Sequence, residues 1–219
     1  MLADTNTPLK RIAIFYDGTF FVNTSFYYRY THARNRFIDF MGLHEYVKHK
    51  VADFETSSNV SLCQIVEAHF FRGRFSLSSA KSKNALETDR LQDQLLMYAG
   101  IVSHYYPMNE KKEPPEEKGI DVWLALESYD LAVHKRFDVM VLFAGDQDYV
   151  PLIRKVNGLG TRVLILGVDI EYEDSKGKKR YIKTSPALFK ESSYVVMLSE
   201  DVDSKTAKGN RTIDDIFQQ

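Results

Sequence analysis

The chain has 219 residues, 44% of them hydrophobic, which is enough for one large domain with a sizeable core. Its 30 acidic residues nearly balance 29 lysines and arginines, and the formal net charge of -1 excludes a uniformly basic nucleic-acid coat and a highly charged disordered chain. The single cysteine, Cys63, excludes an intramolecular disulfide framework. Because the sequence also lacks an apolar run of signal-peptide or membrane-span length, we expect a soluble protein of the cytoplasm.

Strand and helix patterns alternate through the first half of the chain. Arg11 to Tyr16 is a short apolar run of the kind that is buried on both faces of a parallel sheet. Apolar residues recur at helical spacing after Asp39, whose side chain suits the N-cap position. In chain order we predict a disordered or flexible N-terminus at 1–10, a strand at 11–16, an aromatic loop or broken helix at 20–37, a helix at 40–54, a strand at 62–71, a helix at 85–99 and a strand at 101–106.

The second half continues the same alternation. Prolines keep the charged segment after Pro107 extended, so we expect an exposed loop there. Ile120 to His134 has apolar residues at nearly every turn, which predicts a well-buried helix. The remaining predictions are a strand at 139–143 followed by an acidic loop, a helix at 149–157, a strand at 163–166, a surface hairpin or flexible loop at 169–183, a strand at 194–198 and a polar C-terminal tail at 200–219.

Regular β-α-β alternation with short apolar strands indicates one α/β domain over residues 11–199. We expect a mainly parallel, Rossmann-like central sheet with helices on both faces. In such sheets, ligands bind outside the carboxyl ends of the strands, at the point where the strand order reverses. The residues that directly follow strands are therefore the first candidates for function.

Aspartates occupy several of these positions. Asp17 directly follows the first strand. Asp146 and Asp148 follow the strand at 139–143, and Asp121 lies in the first turn of a helix. Carboxylates held close together repel one another, and a divalent cation best explains such a cluster; oxygen-only ligands favour Mg²⁺ or Mn²⁺, which suit phosphodiester hydrolysis. Each aspartate taken alone also has a structural role open to it, as a turn residue, a helix N-terminal charge or an N-cap.

Three segments of the chain carry a pattern that is specific in combination: IAIFYDGTFF, EKGIDVWLALESYDLA and VMVLFAGDQDYVPLIRKVNGLGTRVLILG. They contain a Lys-Gly-x-Asp helix start and a Gly-Asp-x-Asp-[aromatic]-x-Pro-Leu loop, in that order. Over roughly residues 11–199 the chain thereby resembles the NYN family of PIN-like nuclease domains, which includes the bacterial LabA-like proteins. The resemblance implies a PIN-like fold, a divalent-metal site and cleavage of RNA. Carried over by position, it implies catalytic and metal-binding roles for Asp17, Asp121, Asp146 and Asp148, and a place near a substrate phosphate for Lys118.

Two positions depart from the family pattern. Members usually carry Asn three residues after the first aspartate, where this chain has Phe20, and Thr19 and Asn23 are the nearby polar candidates for substrate binding. Many members have Ser or Thr before the Gly-Asp-x-Asp loop, where this chain has Ala144. Lost support around metal ligands can cost ~10–100-fold in metal affinity or activity. A catalytically weak or inactive RNA- or protein-binding module on the same fold is therefore the alternative.

Basic segments interleaved with aromatic residues offer a track for RNA. Three segments hold several lysines and arginines and no acid, namely residues 29–36, 72–83 and 176–183. Arg72 and Arg74 follow the second strand, so we expect them on the rim that carries the aspartates, beside a phosphate backbone. The aromatic segment 20–37 offers stacking surfaces for bases, or a contact for a protein partner or a second copy of the chain. Solvated charges and core aromatics are the structural alternative.

A phosphatase of the haloacid dehalogenase type is a further hypothesis, because Asp17-Gly18-Thr19 is similar to part of the Asp-x-Asp-Gly-Thr motif of that family. That chemistry needs an aspartate two residues before Asp17, and Phe15 occupies the position and cannot form a phosphoaspartate. Among the histidines, His44 and His49 are five residues apart, which does not place two metal ligands on one helical face. The sequence therefore favours hydrolysis of RNA through a four-aspartate site.

Overall fold

The computed structural model describes residues 8–204, 207 and 209–217, so most of the N-terminal segment predicted at 1–10 lies outside the described residues. The strands are β1 (Lys10–Asp17), β2 (Cys63–Arg74), β3 (Val102–Pro107), β4 (Val139–Phe143), β5 (Arg162–Gly167), β6 (Asp169–Glu173), β7 (Lys179–Lys183) and β8 (Tyr194–Met197). The helices are α1 (Gly18–Tyr30), α2 (Phe40–Glu55), α3 (Leu77–Ser82), α4 (Leu86–Tyr98), α5 (Ile120–Lys135), α6 (Val150–Gly158), α7 (Pro186–Glu191), α8 (Leu198–Asp203) and α9 (Arg211–Asp214), with 3₁₀ turns at Val60–Leu62 and Gln147–Tyr149.

Six strands form one parallel sheet in the order β3-β2-β1-β4-β5-β8. Alternate residues of β1 enter different apolar clusters: Ile12, Ile14 and Tyr16 pack on one face of the sheet. Ala13 and Phe15 pack on the other face. A strand that is covered on both faces has no polar side, which is why β1 and β4 are almost continuous apolar runs. The predicted α/β class with a mainly parallel sheet is confirmed.

Helices cover both faces of this sheet. On one face, α1 and α2 contribute Phe21, Tyr28 and Leu43 to the core. On the other face, α5 and α6 contribute Leu124 and Ile153. Burying a large apolar side chain contributes roughly 1.5–3 kcal/mol, so packing on two faces fixes the sheet and the loops that leave its ends.

The strand order reverses between β1 and β4. One edge of β1 pairs with β2, and the other pairs with β4, where Tyr16 lies opposite Phe143. Because β1 and β4 are parallel neighbours, the loops that follow them leave the same edge of the sheet side by side. Asp17 and Asp146 therefore lie at the ends of neighbouring strands.

The prediction of a loop or broken helix at 20–37 is wrong over most of its length. Gly18–Tyr30 is a regular helix, and the Asp17 carboxylate caps it by accepting a hydrogen bond from the Phe20 amide. The buried residues of α1 recur at helical spacing, but Thr24 and Ser25 are among them. These two hydroxyl residues interrupted the apolar stripe that would have indicated a helix.

Helix α5 is less buried than its composition predicts. Ile120 and Leu124 lie on the face that packs against the sheet. Val122 and Leu126 lie on the opposite face and are 63% and 65% exposed. An apolar sequence all around a helix therefore did not mean burial all around it.

The segment predicted as a surface hairpin or flexible loop forms the antiparallel hairpin β6–β7, outside the main sheet. Its residues Ile170 and Ile182 are buried in the core on the α1 face. The hairpin is therefore fixed to the body of the domain and does not extend freely into solvent.

The described part of the segment predicted as a polar tail at 200–219 also packs on the core. Ile213 and Phe217 are buried, and Phe217 forms an isolated bridge with Ile38. The short helices α3, α7, α8 and α9 were not predicted, because four to six residues are too few to show a helical period. In the described part of the chain, none of the helices has the length and apolar character needed to span a membrane.

Candidate active site

A cavity of about 570 Å³ opens at the carboxyl edge of the sheet, beside the ends of β1 and β4. Its walls also include the first turns of α1 and α5 and the second strand of the β6–β7 hairpin. Four of the lining side chains are carboxylates. The lining residues are Asp17, Thr19, Phe20, Asn23, Glu117, Asp121, Gly145, Asp146, Gln147, Tyr181, Ile182, Lys183 and Ser185. We call this space the acidic cavity.

Asp17 is half-buried where β1 passes directly into α1, whereas Asp121 and Asp146 are exposed. The pKa of Asp17 is raised from the usual 3.8 to about 7, mainly by burial and further by repulsion from Asp121 and Glu117. The hydrogen bond from the Phe20 amide, at 3.0 Å, opposes it. The charged form of Asp17 is therefore destabilised at this position, which is typical of functional sites.

The two aspartates of the acidic loop after β4 are placed differently. The Asp146 carboxylate accepts a hydrogen bond from the Asp148 amide at 3.0 Å and thereby caps the 3₁₀ turn Gln147–Tyr149. Asp146 lines the acidic cavity, but Asp148 is not among the lining residues. The turn thus brings only one of the two predicted loop carboxylates to the cavity.

Tyr149 is a site residue that sequence reasoning missed. Its side chain is only 1% exposed, and its hydroxyl donates to Oδ1 of Asp121 over 2.7 Å. Burial raises the pKa of Tyr149, and the charges of Asp17 and Asp121 raise it further, so the hydroxyl stays protonated as a donor. The signal was present as the aromatic position of the Gly-Asp-x-Asp-[aromatic] motif.

Glu117 was also missed, because no spacing rule connects it with the strand ends. The Thr19 hydroxyl donates to both carboxylate oxygens of Glu117 at 2.8 Å, and the Gly73 amide donates to Oε1 at 2.8 Å. A β-carbon on Gly73 would lie 2.6 Å from Cγ of Glu117. The glycine at the end of β2 is therefore what admits this fourth carboxylate to the site.

Phe20 and Ala144, the two departures from the family pattern, both lie beside the hairpin contact. The Phe20 ring packs on Phe143 with centroids 5.4 Å apart, and it fills the space next to Gly145. The Ala144 carbonyl accepts a hydrogen bond from the Thr184 hydroxyl at 3.4 Å. A hydroxyl from the end of the hairpin thus approaches the backbone where many family members carry their own Ser or Thr.

The predicted substrate-binding residues fall into three groups. Thr19 and Asn23, one turn apart on α1, line the acidic cavity. Lys118 is exposed and does not line it. Arg72 and Arg74 line an adjoining groove instead. Arg72 and Arg74 therefore lie at the end of β2, but they line this groove and not the acidic cavity.

The acidic cavity has the donor chemistry of a site for a hard divalent cation. Carboxylate oxygens of Asp17, Asp121, Asp146 and Glu117 surround one space, and oxygen ligands suit Mg²⁺ and Mn²⁺. Burial is the main cause of the raised pKa of Asp17, and a bound cation would relieve the smaller contribution from repulsion by Asp121 and Glu117. Among the described residues, no group of three or more His, Cys, Asp and Glu side chains is already gathered as a coordination shell. The lining thus fits a divalent ion in its oxygen donors and negative charge, but in the described residues the carboxylates are too far apart to form such a group.

Comparisons with known proteins agree on the fold. The crystal structure of a protein of unknown function from Vibrio parahaemolyticus RIMD 2210633 is similar over 90% of this chain and 97% of that one, with a TM-score of 0.56 at 18% sequence identity. At this identity the likeness concerns the fold alone. No curated protein matches the chain significantly. The family model described as the NYN domain matches residues 11–189, most of the chain. This chain, with its six-stranded parallel sheet and single PIN-like domain, therefore belongs to the NYN domain family.

Proposed function

We propose that this chain is a divalent-metal-dependent ribonuclease that hydrolyses RNA phosphodiester bonds in the acidic cavity. Membership of the NYN family, whose domains are PIN-like nucleases, supports a nuclease. The observation that carries the proposal is that the carboxylates of Asp17, Asp121, Asp146 and Glu117 line one cavity at the carboxyl edge of the sheet. Repulsion from Asp121 and Glu117 contributes, after burial, to the raised pKa of Asp17. Folding alone gains nothing from such repulsion, whereas binding a cation would relieve it.

The proposed ligands of Mg²⁺ or Mn²⁺ are Asp17, Asp121 and Asp146, with Glu117 beside them. An ion bound there would polarise a phosphate oxygen and lower the pKa of a water molecule. Asp148, which the family resemblance also implies, is proposed to act through the turn that orients Asp146. Its amide already donates to the Asp146 carboxylate.

The chain's own residues prepare the carboxylates for this role. Asp17 has to lose its proton before it can bind a cation, which its pKa of about 7 permits in neutral solution. Tyr149 occupies Oδ1 of Asp121, and this hydrogen bond fixes the orientation of the carboxylate. Thr19 orients Glu117 in the same way. Asn23, exposed on the cavity wall, is proposed to donate a hydrogen bond to the RNA backbone.

The first prediction compares two aspartates of the same loop. Asp146→Asn should lower the rate of RNA cleavage more than ~100-fold, because it removes a cavity carboxylate. Asp148→Asn, a matched change two residues away, should keep the rate within ~10-fold, since its carboxylate lies outside the cavity. The measurement is cleavage of labelled single-stranded and hairpin RNA by purified protein with Mn²⁺ or Mg²⁺, and with a chelator as the blank.

Two outcomes would count against this reading. If the wild type binds RNA but cleaves neither substrate with either ion, the protein is the non-catalytic binding module and the enzyme proposal fails. If the enzyme is active and Asp148→Asn is as damaging as Asp146→Asn, the carboxylate of Asp148 belongs to the site after all. Calorimetric titration of Mn²⁺ into both variants would then locate the lost ligand.

A further inference from the structure

A second space, which we call the side groove, adjoins the acidic cavity and has a different character. It encloses about 760 Å³ between α1, the end of β2, α4 and the loop before α5. This size lies within the ~300–1,000 Å³ that small-molecule sites occupy. Aromatic and aliphatic side chains supply much of its lining, in contrast to the carboxylates next door.

The side groove and the acidic cavity share a wall. Thr19 and Glu117 line both spaces, and the hydrogen bonds of 2.8 Å between them form the divide. Thr19 lies two residues from Asp17 in the chain. A polymer whose phosphodiester lies against Asp17 would therefore reach the side groove with its next unit.

Aromatic rings form one side of the groove. Phe26 is 44% exposed, and its ring lies 6.1 Å from Phe37 and 5.7 Å from Tyr30. Phe26, Phe37 and, on another wall, Phe75 line the groove. Stacking of a base on an exposed aromatic ring contributes roughly 1–3 kcal/mol and works for every base.

Cations accompany the rings. Arg72 donates to the side-chain oxygen of Gln92, a neutral partner, at 2.6 Å. The exposed Lys83 places its ammonium 5.3 Å from the centre of the Phe75 ring. Arg74, by contrast, pairs with Asp93 at 2.5 Å and stacks over Tyr105, so it stabilises the wall. Cations beside accessible aromatic rings match the chemistry of a nucleotide, a phosphate joined to a flat base, although Asp89 and Glu117 also line the groove.

From this placement we propose that the side groove holds unpaired nucleotides of the RNA that adjoin the cleaved phosphodiester, with bases against Phe26 and Phe37 and phosphates near Arg72 and Lys83. This inference rests on the proposed function for the position of the cleaved bond. A base inside a duplex is stacked on its neighbours and cannot enter the groove. The side groove therefore selects against a paired base beside the cleaved bond.

The test measures binding without turnover, by fluorescence anisotropy of a labelled ten-nucleotide single-stranded RNA on the D146N protein. Phe26→Ala in that background should weaken binding about 10-fold or more, through lost stacking. The matched control is Phe54→Ala, because Phe54 is 45% exposed and stacks on Tyr194 at the opposite edge of the sheet. It should change the affinity less than about twofold, and melting curves verify that both variants are folded.

A second variant tests the phosphate contact. Lys83→Ala should reduce the slope of log affinity against log salt concentration by about 0.7, the value for one phosphate of a single strand. Unchanged affinity in Phe26→Ala would overturn the proposal, and so would an equal loss of affinity for a blunt RNA duplex. If the wild type cleaves no RNA but Phe26→Ala still weakens single-strand binding selectively, the proposed hydrolysis fails and the side groove stands as a binding site.

Discussion

Asp17 shows, at the scale of one residue, how the site acts against stability. Because burial raises its pKa to about 7, the folded protein keeps a proton between pH 3.8 and 7 that the unfolded chain releases. Stability therefore falls as pH rises through this window and stays lower above it. Asp17→Asn keeps the acceptor oxygen for the Phe20 amide and removes the buried charge. We expect it to raise the free energy of unfolding at pH 8 by about 1–3 kcal/mol in the absence of divalent ions.

The measurement is urea denaturation of wild type and Asp17→Asn in chelator, at pH 8 and at pH 4. The difference should shrink at pH 4, where the wild-type carboxyl is protonated in the folded state and, because the ordinary pKa is 3.8, close to half protonated in the unfolded state. Added Mn²⁺ should stabilise the wild type and have little effect on the variant. A variant that is less stable than the wild type at pH 8 would show that the Asp17 charge is satisfied in the metal-free protein.

At the scale of elements, the hairpin and the acidic loop depend on one close contact at Gly145. A β-carbon there would lie 2.5 Å from the Phe20 ring and 2.9 Å from the Lys183 carbonyl oxygen. The Ser185 amide also donates to the Gly145 carbonyl at 2.9 Å. Gly145→Ala should therefore push the hairpin away from the loop, at a cost of about 1–3 kcal/mol in stability and a loss of cleavage.

Gly158 provides the control for this change, because a β-carbon there meets nothing within 4 Å. Gly158→Ala, near the end of α6, should leave cleavage unchanged and alter stability by at most about 1 kcal/mol, in the favourable direction. Urea unfolding and RNA cleavage are measured on both variants. Equal activity of Gly145→Ala and wild type would mean that the hairpin does not set the position of Asp146.

The elements that the sequence predicted well are those whose signal is local. The strand at 139–143 is an unbroken apolar run, and Asp39 caps α2 as its position indicated. The hairpin carries a buried Ile182 beside the exposed Tyr181, and no local pattern indicates that these residues reach the acidic cavity. Their position depends on contacts of the hairpin with Gly145, which is distant in the chain. A periodic pattern of apolar residues does not reveal such contacts.

The candidate site divides in the same way. Asp17, Asp121 and Asp146 could be predicted because parallel strands end at a common edge and helices begin there. Glu117 could not, because its place depends on the absence of a side chain at Gly73. Asp148 was predicted as a site residue from its position in the motif, but its side chain does not line the acidic cavity. A motif gives the spacing of residues and not the direction of a side chain in a tight turn. Close packing around a glycine and the geometry of a tight turn are thus the features that the sequence pattern could not predict.

At the scale of the whole molecule, the two edges of the sheet differ in how their charged side chains are paired. The carboxyl edge carries four carboxylates that form hydrogen bonds but, among the described residues, no ion pair, whereas the amino edge carries a compensated ionic cluster around Glu55. Its carboxylate, on α2, binds Lys10 at 3.1 Å, accepts from the Tyr194 hydroxyl at 2.7 Å and pairs with Arg162. The cluster thereby connects α2 to the starts of β1, β5 and β8.

Glu55→Gln should therefore destabilise the protein without changing cleavage per folded molecule. Burial raises the pKa of Glu55, but the hydrogen bonds from Tyr194, Lys10 and Arg162 outweigh it and hold the pKa below its usual value. The stabilisation is then complete above the ordinary glutamate pKa, and it is lost as pH falls through the lower folded value. We expect a loss of about 2–4 kcal/mol in the free energy of unfolding at pH 7 that shrinks below pH ~4.

Urea unfolding across this pH range measures the loss, with Glu45→Gln as control because the exposed Glu45–Lys48 pair contributes at most about 0.5 kcal/mol. A pH-independent loss in Glu55→Gln would contradict the ionic origin of this stabilisation, and a loss of specific cleavage would show that the two edges of the sheet are coupled.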